Sequence, residues 1–393
     1  MAAALALRAQ GHHVRIFETS RNKTEIGAGL SVQTNAMRVL KAYGISRDNL
    51  RGVDFDGIVV FDAKTGDEPV PWPWTTKPEM PEIRSLFCHR SDLHDELKRL
   101  AIGDGHGPPA QLHLDSRIVA CEPEAGSITL ASGETVHADL IVGADGINST
   151  IRSSVVGFPI KPLSQGLSCF RCVFDASALS RIPELRWLAE SNLNGARSVS
   201  WRGEGTTFRM FFIYLVRDGT LLNAVAYFTD ADHDKPDWLP TATREEVLKT
   251  FEGFHPKFLR IFDLPVVSPI LKCQLRSVPP LPTWIRGRSA LLGDSAHATL
   301  PLLGQGAAMA IEEAGALGTL FPLGITRDQV PSRLEAYQAV RKDRGELVNT
   351  ESVSQAMDPQ KRGSLARSPE LQSLMHDYDT LAAARDYLAA HFD

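Results

Sequence analysis

The 393-residue sequence has no block of basic residues: 42 Lys and Arg stand against 47 Asp and Glu, a formal charge of −5. A mixed, mildly acidic chain offers no electrostatic footprint for nucleic acid or an anionic membrane surface, so no nucleic-acid partner is expected. No apolar run approaches the roughly 18 residues of a membrane-spanning helix. Residues 1–7 are apolar, but no positive stretch precedes them and Arg8 cuts them short. A secretion signal is therefore not expected, and a cytoplasmic location is. Cysteine is scarce: five residues, an odd and scattered set. That excludes a disulfide framework and fits a reducing compartment. Cys169 and Cys172 have C-x-x-C spacing, yet they lie in the apolar, strand-like run 167–174, where residues three apart face opposite sides. No Cys/His set has zinc spacing, and no metal is expected. No G-x-G-x-x-G fingerprint precedes the first strand.

What remains is ordinary globular material, 43% hydrophobic and 23% charged. At about 150 residues per domain, two to three domains are expected. Residues 2–10 are rich in helix formers and Gly11 suits a C-cap. Residues 14–17 then read as a strand with Glu18 just past its end. This is the second half of a β-α-β unit. In a dinucleotide-binding unit an acid there accepts hydrogen bonds from a ribose, and the glycine fingerprint lies about 20 residues earlier. Counting back passes Met1. Either the unit is of another kind or the chain lacks its first strand; taken alone, Glu18 also reads as a solvated charge.

Two further segments share one pattern. Residues 138–152 hold a buried-strand core at 140–142, a turn through Asp145-Gly146, and a helix-starting stretch. Residues 289–309 hold a short apolar strand ending in Gly293-Asp294, a loop to Gly304-Gln305-Gly306, and a helix through about residue 320. Glycines let the backbone approach a cofactor closely. An aspartate at a strand's carboxyl end can hold a ribityl or ribose hydroxyl. A helix N-terminus presents free N–H groups and partial positive charge. Asp294, Ser295 and His297 are too crowded in sequence for a hydrolytic triad, and no G-x-S-x-G elbow is present.

Together these segments resemble the flavin-dependent aromatic hydroxylase family, of the salicylate- and para-hydroxybenzoate-hydroxylase type. Asp145-Gly146 with Ser149 and Arg152 matches one signature; Gly293-Asp294 with Pro301 and Gly304-Gln305-Gly306 matches another. Glu25 through Leu30 with Asn35, His89-Arg90 to Leu93, Tyr337 to Arg344, and His376 to Asp379 are similar to further pieces. The resemblance implies an α/β fold: a doubly wound FAD-binding domain with a second, mixed-sheet substrate domain. The expected division is FAD domain 1–70, 88–163 and 275–350, substrate domain 71–87 and 164–274, and a helical segment 351–393.

The same resemblance implies site roles. Glu18 would hold the ribose, Ala28 and Gly29 would line the ribityl side, and Arg90 would reach the ribityl–pyrophosphate region. Asp145 and Gly146 would serve flavin and nicotinamide. Asp294, Gly304, Gln305, Gly306 and Ala307 would also contact the cofactor. Arg171 and Tyr214, on strand-like runs of the middle segment, resemble substrate-facing residues that favour a bound phenolate. The implied activity is an NAD(P)H- and FAD-dependent monooxygenase that hydroxylates a phenolic or related aromatic small molecule through a flavin C4a-hydroperoxide formed with O2. The implied state is a monomer or homodimer. Two alternatives stand beside it: a non-hydroxylating flavin oxidoreductase of the same fold, and a flavin-free pseudoenzyme, motivated by the absent first strand, whose loss would also weaken FAD binding.

Overall fold

The computed structural model describes residues 1–21, 27–67, 69–75, 78, 80–189, 193–201, 207–231 and 241–392. The expected opening helix spans Ala2–Ala9, and Gly11 follows it at φ +96°. Ala4, Leu5, Ala6 and Leu7 are buried, so the apolar start is a core helix. It lies against the helix Gly306–Leu320 so closely that a Cβ on Gly318 would meet Ala6 at 2.9 Å. Arg8, which ends the apolar run in sequence, is buried. Its guanidinium donates to the carbonyls of Leu100, Ala101, Gly105 and Gly107 at 2.6–3.0 Å. Carbonyl dipoles thus stand in for the water this cation has lost.

The parallel strands form two separate sheets. Arg15–Phe17 pairs with Gln111–His113, and Ile141–Gly143 pairs with Ser289–Leu291, which Ile285–Arg286 extends antiparallel. No strand among the described residues joins Arg15–Phe17 to Ile141–Gly143. Among the described residues each therefore keeps one edge without a strand partner.

The second part is a seven-stranded sheet. Its order is Leu271–Ser277, Leu163–Asp175, Leu221–Thr229, Arg209–Val216, Ala196–Ser200, Gly57–Asp62, Val70–Pro73. All neighbours are antiparallel except Ala196–Ser200 with Gly57–Asp62, which makes the sheet mixed. Its rear face buries an aromatic core that includes Phe170, Phe174, Phe211, Phe251, Phe258 and Phe262. Each such ring contributes roughly 1.5–3 kcal/mol on burial.

The strand pairing and one helix depart from the expected borders at three places. Residues 57–70 were assigned to the FAD part, but Gly57–Asp62 and Val70–Pro73 belong to the seven-stranded sheet. Leu86–His89, which straddles the expected border at 87/88, pairs instead with Gly29–Val32 and Val53–Asp54. Gly57–Asp62 and Leu86–His89 are short strands with a partner far away in sequence, so local pattern cannot assign them. Residue 351 is no boundary, because the helix Val330–Met357 runs through it. Beyond it, Ser364–Arg367, Pro369–His376 and Thr380–His391 are helical as expected.

A candidate flavin and substrate site between the two parts

The two Asp-Gly turns are bound to each other. Leu292 N donates to Gly143 O at 2.9 Å, the Ser295 hydroxyl also donates to Gly143 O, and Arg152 donates to Ser295 O at 3.1 Å. Parallel pairing of Ile141–Gly143 with Ser289–Leu291 makes both strands end at one edge. That is the carboxyl edge where α/β proteins bind ligands. Ser295 is committed to main-chain carbonyls, and His297 is buried against Glu313, Nε2 to Oε1 at 2.6 Å. No hydrolytic pair exists between them.

Asp294 follows Gly293, which adopts φ +64°. Its carboxylate is exposed to the cleft and receives no hydrogen bond from a described residue. Surrounding protein pushes its pKa up by desolvation; His297 and Arg90 pull it back, while Glu313 adds to the rise. Arg90, at the start of the helix Arg90–Arg99, is thus within electrostatic reach of Asp294. Gly304 has φ +63°, and a Cβ there would meet the Ser31 hydroxyl at 2.6 Å. Gly306 opens the helix Gly306–Leu320. The first N–H groups of such a helix, here those of Gly306 and Ala307, have no partner within it. The Gln305 side chain is turned inward, bonded to Gln33 and Asn35, so only its main chain is available outward.

The remaining expected cofactor residues are placed as follows. Glu18 lies just past Arg15–Phe17, exposed, with one carboxylate oxygen on Ser20 N at 2.8 Å. Ala28 O accepts from Arg90 N at 2.9 Å. Gly29 N donates to Asn223 Oδ1 at 2.8 Å, and a Cβ there would overlap Tyr214 at 2.5 Å. Glu25 and Ile26 lie outside the described residues. Asp145 has local duties: it accepts from the Ser149 hydroxyl, Thr150 N and Ile151 N, at 2.5–3.1 Å, and so caps the helix Thr150–Val156. Gly146 beside it has φ +78° and open space around it.

The front face of the seven-stranded sheet completes the site. Arg171 and Tyr214 both project from it, since Arg171 pairs with Val225, Val225 with Phe212, and Tyr214 with Asn223. Arg171 is solvent-exposed yet walled by protein. The groups acting on it are Cys169, Cys273 and Tyr227, with no carboxylate among them. Tyr214 stacks on Phe87 at 4.0 Å, and burial pushes its phenol pKa up against the pull of Arg171. Tyr227 is shifted the same way by burial. Leu300 and Leu302, on the loop after Asp294, pack against the same face with Cys169, Val225 and Tyr227.

Four functional positions escaped the sequence. Asn223 and Tyr227 sit in an alternating strand that looks like any other. Glu312 and Glu313 left a usable signal, because two acids interrupt the apolar helix Gly306–Leu320. Both are fully buried. Glu313 Oε2 accepts from Gly293 N at 2.7 Å. Glu312 pairs with Arg341 at 2.5 Å and Arg344 at 2.8 Å and accepts from Asn35 at 2.5 Å. Burial opposes ionisation of Glu312, but the two arginines hold its pKa down. The family-like pieces Asn35, Tyr337 to Arg344 and His376 to Asp379 thus meet around one helix: Arg344 also donates to Leu374 O and Met375 O, and Tyr337 to Leu291 O.

Comparison with known proteins agrees with this geometry. A family profile described as an FAD binding domain matches residues 280–352. The chain is 41% identical to hispidin-3-hydroxylase of Neonothopanus nambi, over 96% of this chain and 91% of that one. It is 31% identical to the FAD-dependent monooxygenase cfoG of Aspergillus candidus, over 88% and 81%. Among solved structures, a salicylate hydroxylase substrate complex superposes with TM-score 0.73 at 25% identity, covering 98% of this chain and 94% of that one. The chain belongs to the FAD-dependent aromatic hydroxylase family of flavin monooxygenases.

Proposed function

We propose that this chain uses FAD, reduced nicotinamide and O2 to hydroxylate a phenolic or related aromatic small molecule. The observation that carries this reading is Arg171: a cation facing the cleft, among thiols and phenols, with no carboxylate among the described groups that act on it. The residues present fit the cofactor. Asp294 offers two free acceptor oxygens for a diol. The start of Gly306–Leu320 offers unbound N–H donors and positive dipole. Gly29 and Gly304 let this main chain pack closely on Tyr214, Asn223 and Ser31, where a side chain would clash. Arg90 supplies positive charge, and Glu18 an acceptor at the far strand end. Gly146 lies beside this edge; Asp145 holds the turn that presents it. When bound, FAD supplies hydride acceptance from NAD(P)H and delivery of one oxygen atom from O2; the protein contributes orientation, electrostatics and exclusion of water.

Arg171 acts on the substrate's ionisation. An opposite charge within about 4–6 Å lowers a phenol's pKa by roughly 1–3 units. The phenolate so favoured is the stronger carbon nucleophile. Tyr214 and Tyr227 stay protonated at neutral pH and present O–H groups beside it. The apolar wall of Leu300, Leu302 and Val225 excludes water and strengthens each charge interaction. No side-chain nucleophile is required.

The reading rests also on the relatives' names, hispidin-3-hydroxylase and salicylate hydroxylase, which suggest the first compounds to test. The chain is supplied with FAD, NADPH or NADH, 18O2 and each phenol. One labelled oxygen atom should enter the ring. Nicotinamide oxidation that no phenol stimulates, with no labelled product, would remove this reading.

A further inference from the structure

The strand register sets two thiols face to face. Cys169, on Leu163–Asp175, lies directly opposite Cys273, on the antiparallel strand Leu271–Ser277. Directly opposed residues of an antiparallel pair have Cα atoms about 4.5 or 5.5 Å apart. A disulfide spans about 4.4–6.8 Å. Both thiols are free, and each acts on the other's ionisation. Their surroundings differ. Cys169 is fully buried, whereas Cys273 is partly exposed. Cys273 is lowered to about 7, first by the hydrogen bond from Cys169 and then by Arg171, against burial. Cys169 is held well above its usual value by the same bond and by burial. One member is therefore a partly exposed thiol whose pKa is lowered, and the register sets beside it a buried thiol whose pKa is raised. The remaining cysteines lack this asymmetry; burial pushes Cys88, Cys121 and Cys172 upward.

We propose that Cys273 and Cys169 form a peroxide-reactive dithiol on the front face of the sheet, which closes to a cross-strand disulfide. The Cys273 thiolate attacks hydrogen peroxide: an S–O bond forms, the O–O bond breaks, and the departing hydroxide takes a proton to leave as water. The sulfur is oxidised by two electrons to a sulfenic acid. The Cys169 sulfur then attacks it; the S–S bond forms, the S–O bond breaks, and hydroxide leaves as a second water with the Cys169 proton. Two thiols and one peroxide yield one disulfide and two waters. Low thiolate pKa, access and an adjacent resolving thiol are the conditions this chemistry requires. Closure also removes the thiolate beside Arg171, so the cleft face becomes more positive.

The test uses the full chain with added peroxide, so its outcome is independent of whether the chain turns over a substrate. The reduced protein is titrated with hydrogen peroxide, alkylated, digested and analysed by mass spectrometry. The expected result is loss of two of the five thiols, one linked peptide pair containing Cys169 and Cys273, and recovery with dithiothreitol. In Cys169→Ser the link disappears and Cys273 accumulates as a sulfenic acid captured by dimedone. Iodoacetamide alkylation of Cys273 in the wild type should have its pH midpoint near the value of about 7 given above. Both thiols surviving peroxide, random oxidation across all five, or an alkylation midpoint at the ordinary thiol value of about 8.5 would each overturn the proposal; the wild-type readings stand even if the variant fails to fold.

Discussion

Asp294 faces the cleft without a described donor, whereas Asp145 spends its carboxylate on a helix start. The two residues occupy the same place in similar motifs, and the structure separates their uses. Asp294→Ala should lower FAD affinity by about 2–4 kcal/mol, since each charge-assisted hydrogen bond contributes roughly 1.5–3 kcal/mol. The apo-protein's melting temperature should change little, because Asp294 accepts no hydrogen bond from a described residue. FAD titration beside apo melting checks this; unchanged affinity with a collapsed melting temperature would make Asp294 a turn residue. Arg171→Gln should raise the pKa of a bound phenol by about 1–3 units, read from the phenolate absorption band across pH, while FAD affinity stays constant. These residues show what the sequence could reveal. Gly293-Asp294 and Gly304 to Gly306 were legible because backbone geometry imposes a local residue pattern. The Cys169–Cys273 pair was hidden, because the two lie on strands about a hundred residues apart and only the register sets them opposite. Register decides thiol partnerships on a strand, and register is not a local property.

At the scale of the element, the helix Gly306–Leu320 is aimed by its two buried acids. Glu313 fixes the Gly293 turn and His297, and Glu312 fixes Asn35, Arg341 and Arg344. Removing one partner of a buried charged group leaves the others uncompensated. Glu312→Gln should therefore destabilise the fold by about 3–5 kcal/mol, measured by urea unfolding. His297 carries a pH signature. Burial and Arg341 lower its pKa, but Glu313 and Asp294 together more than offset this and the net shift is upward. The His297–Glu313 contribution to stability is then fully present below the unfolded value of about 6.5 and is lost as pH rises through the folded value. Subtracting the unfolding free energy of His297→Gln from that of wild type at each pH should give a difference that shrinks on going alkaline. A flat difference would mean that the imidazole is neutral in the fold. The helix itself was legible from composition and its leading glycines. Its charge network was not, because Arg344 and the carbonyls of Leu374 and Met375 are remote in sequence.

At the scale of the molecule, no strand among the described residues joins the sheet of Arg15–Phe17 to that of Ile141–Gly143. Fusing an in-frame strand with a G-x-G-x-x-G turn ahead of Met1 should unite them and supply pyrophosphate N–H donors. FAD affinity should rise on the order of a hundredfold if two such bonds of roughly 1.5–3 kcal/mol are gained, and fluorescence quenching reads this directly. Equal affinity with and without the added strand would show that the described residues already suffice. The arginine clasp at Arg344 bears on how the chain comes off the ribosome. Glu312 and the helix around it emerge before Arg341 and Arg344, and those before Leu374 and Met375. Glu312 is therefore synthesised before the arginines that pair with it, and the carbonyls that complete the clasp come last. The clasp cannot close until the segment carrying Leu374 and Met375 has been made and has folded back onto Arg344.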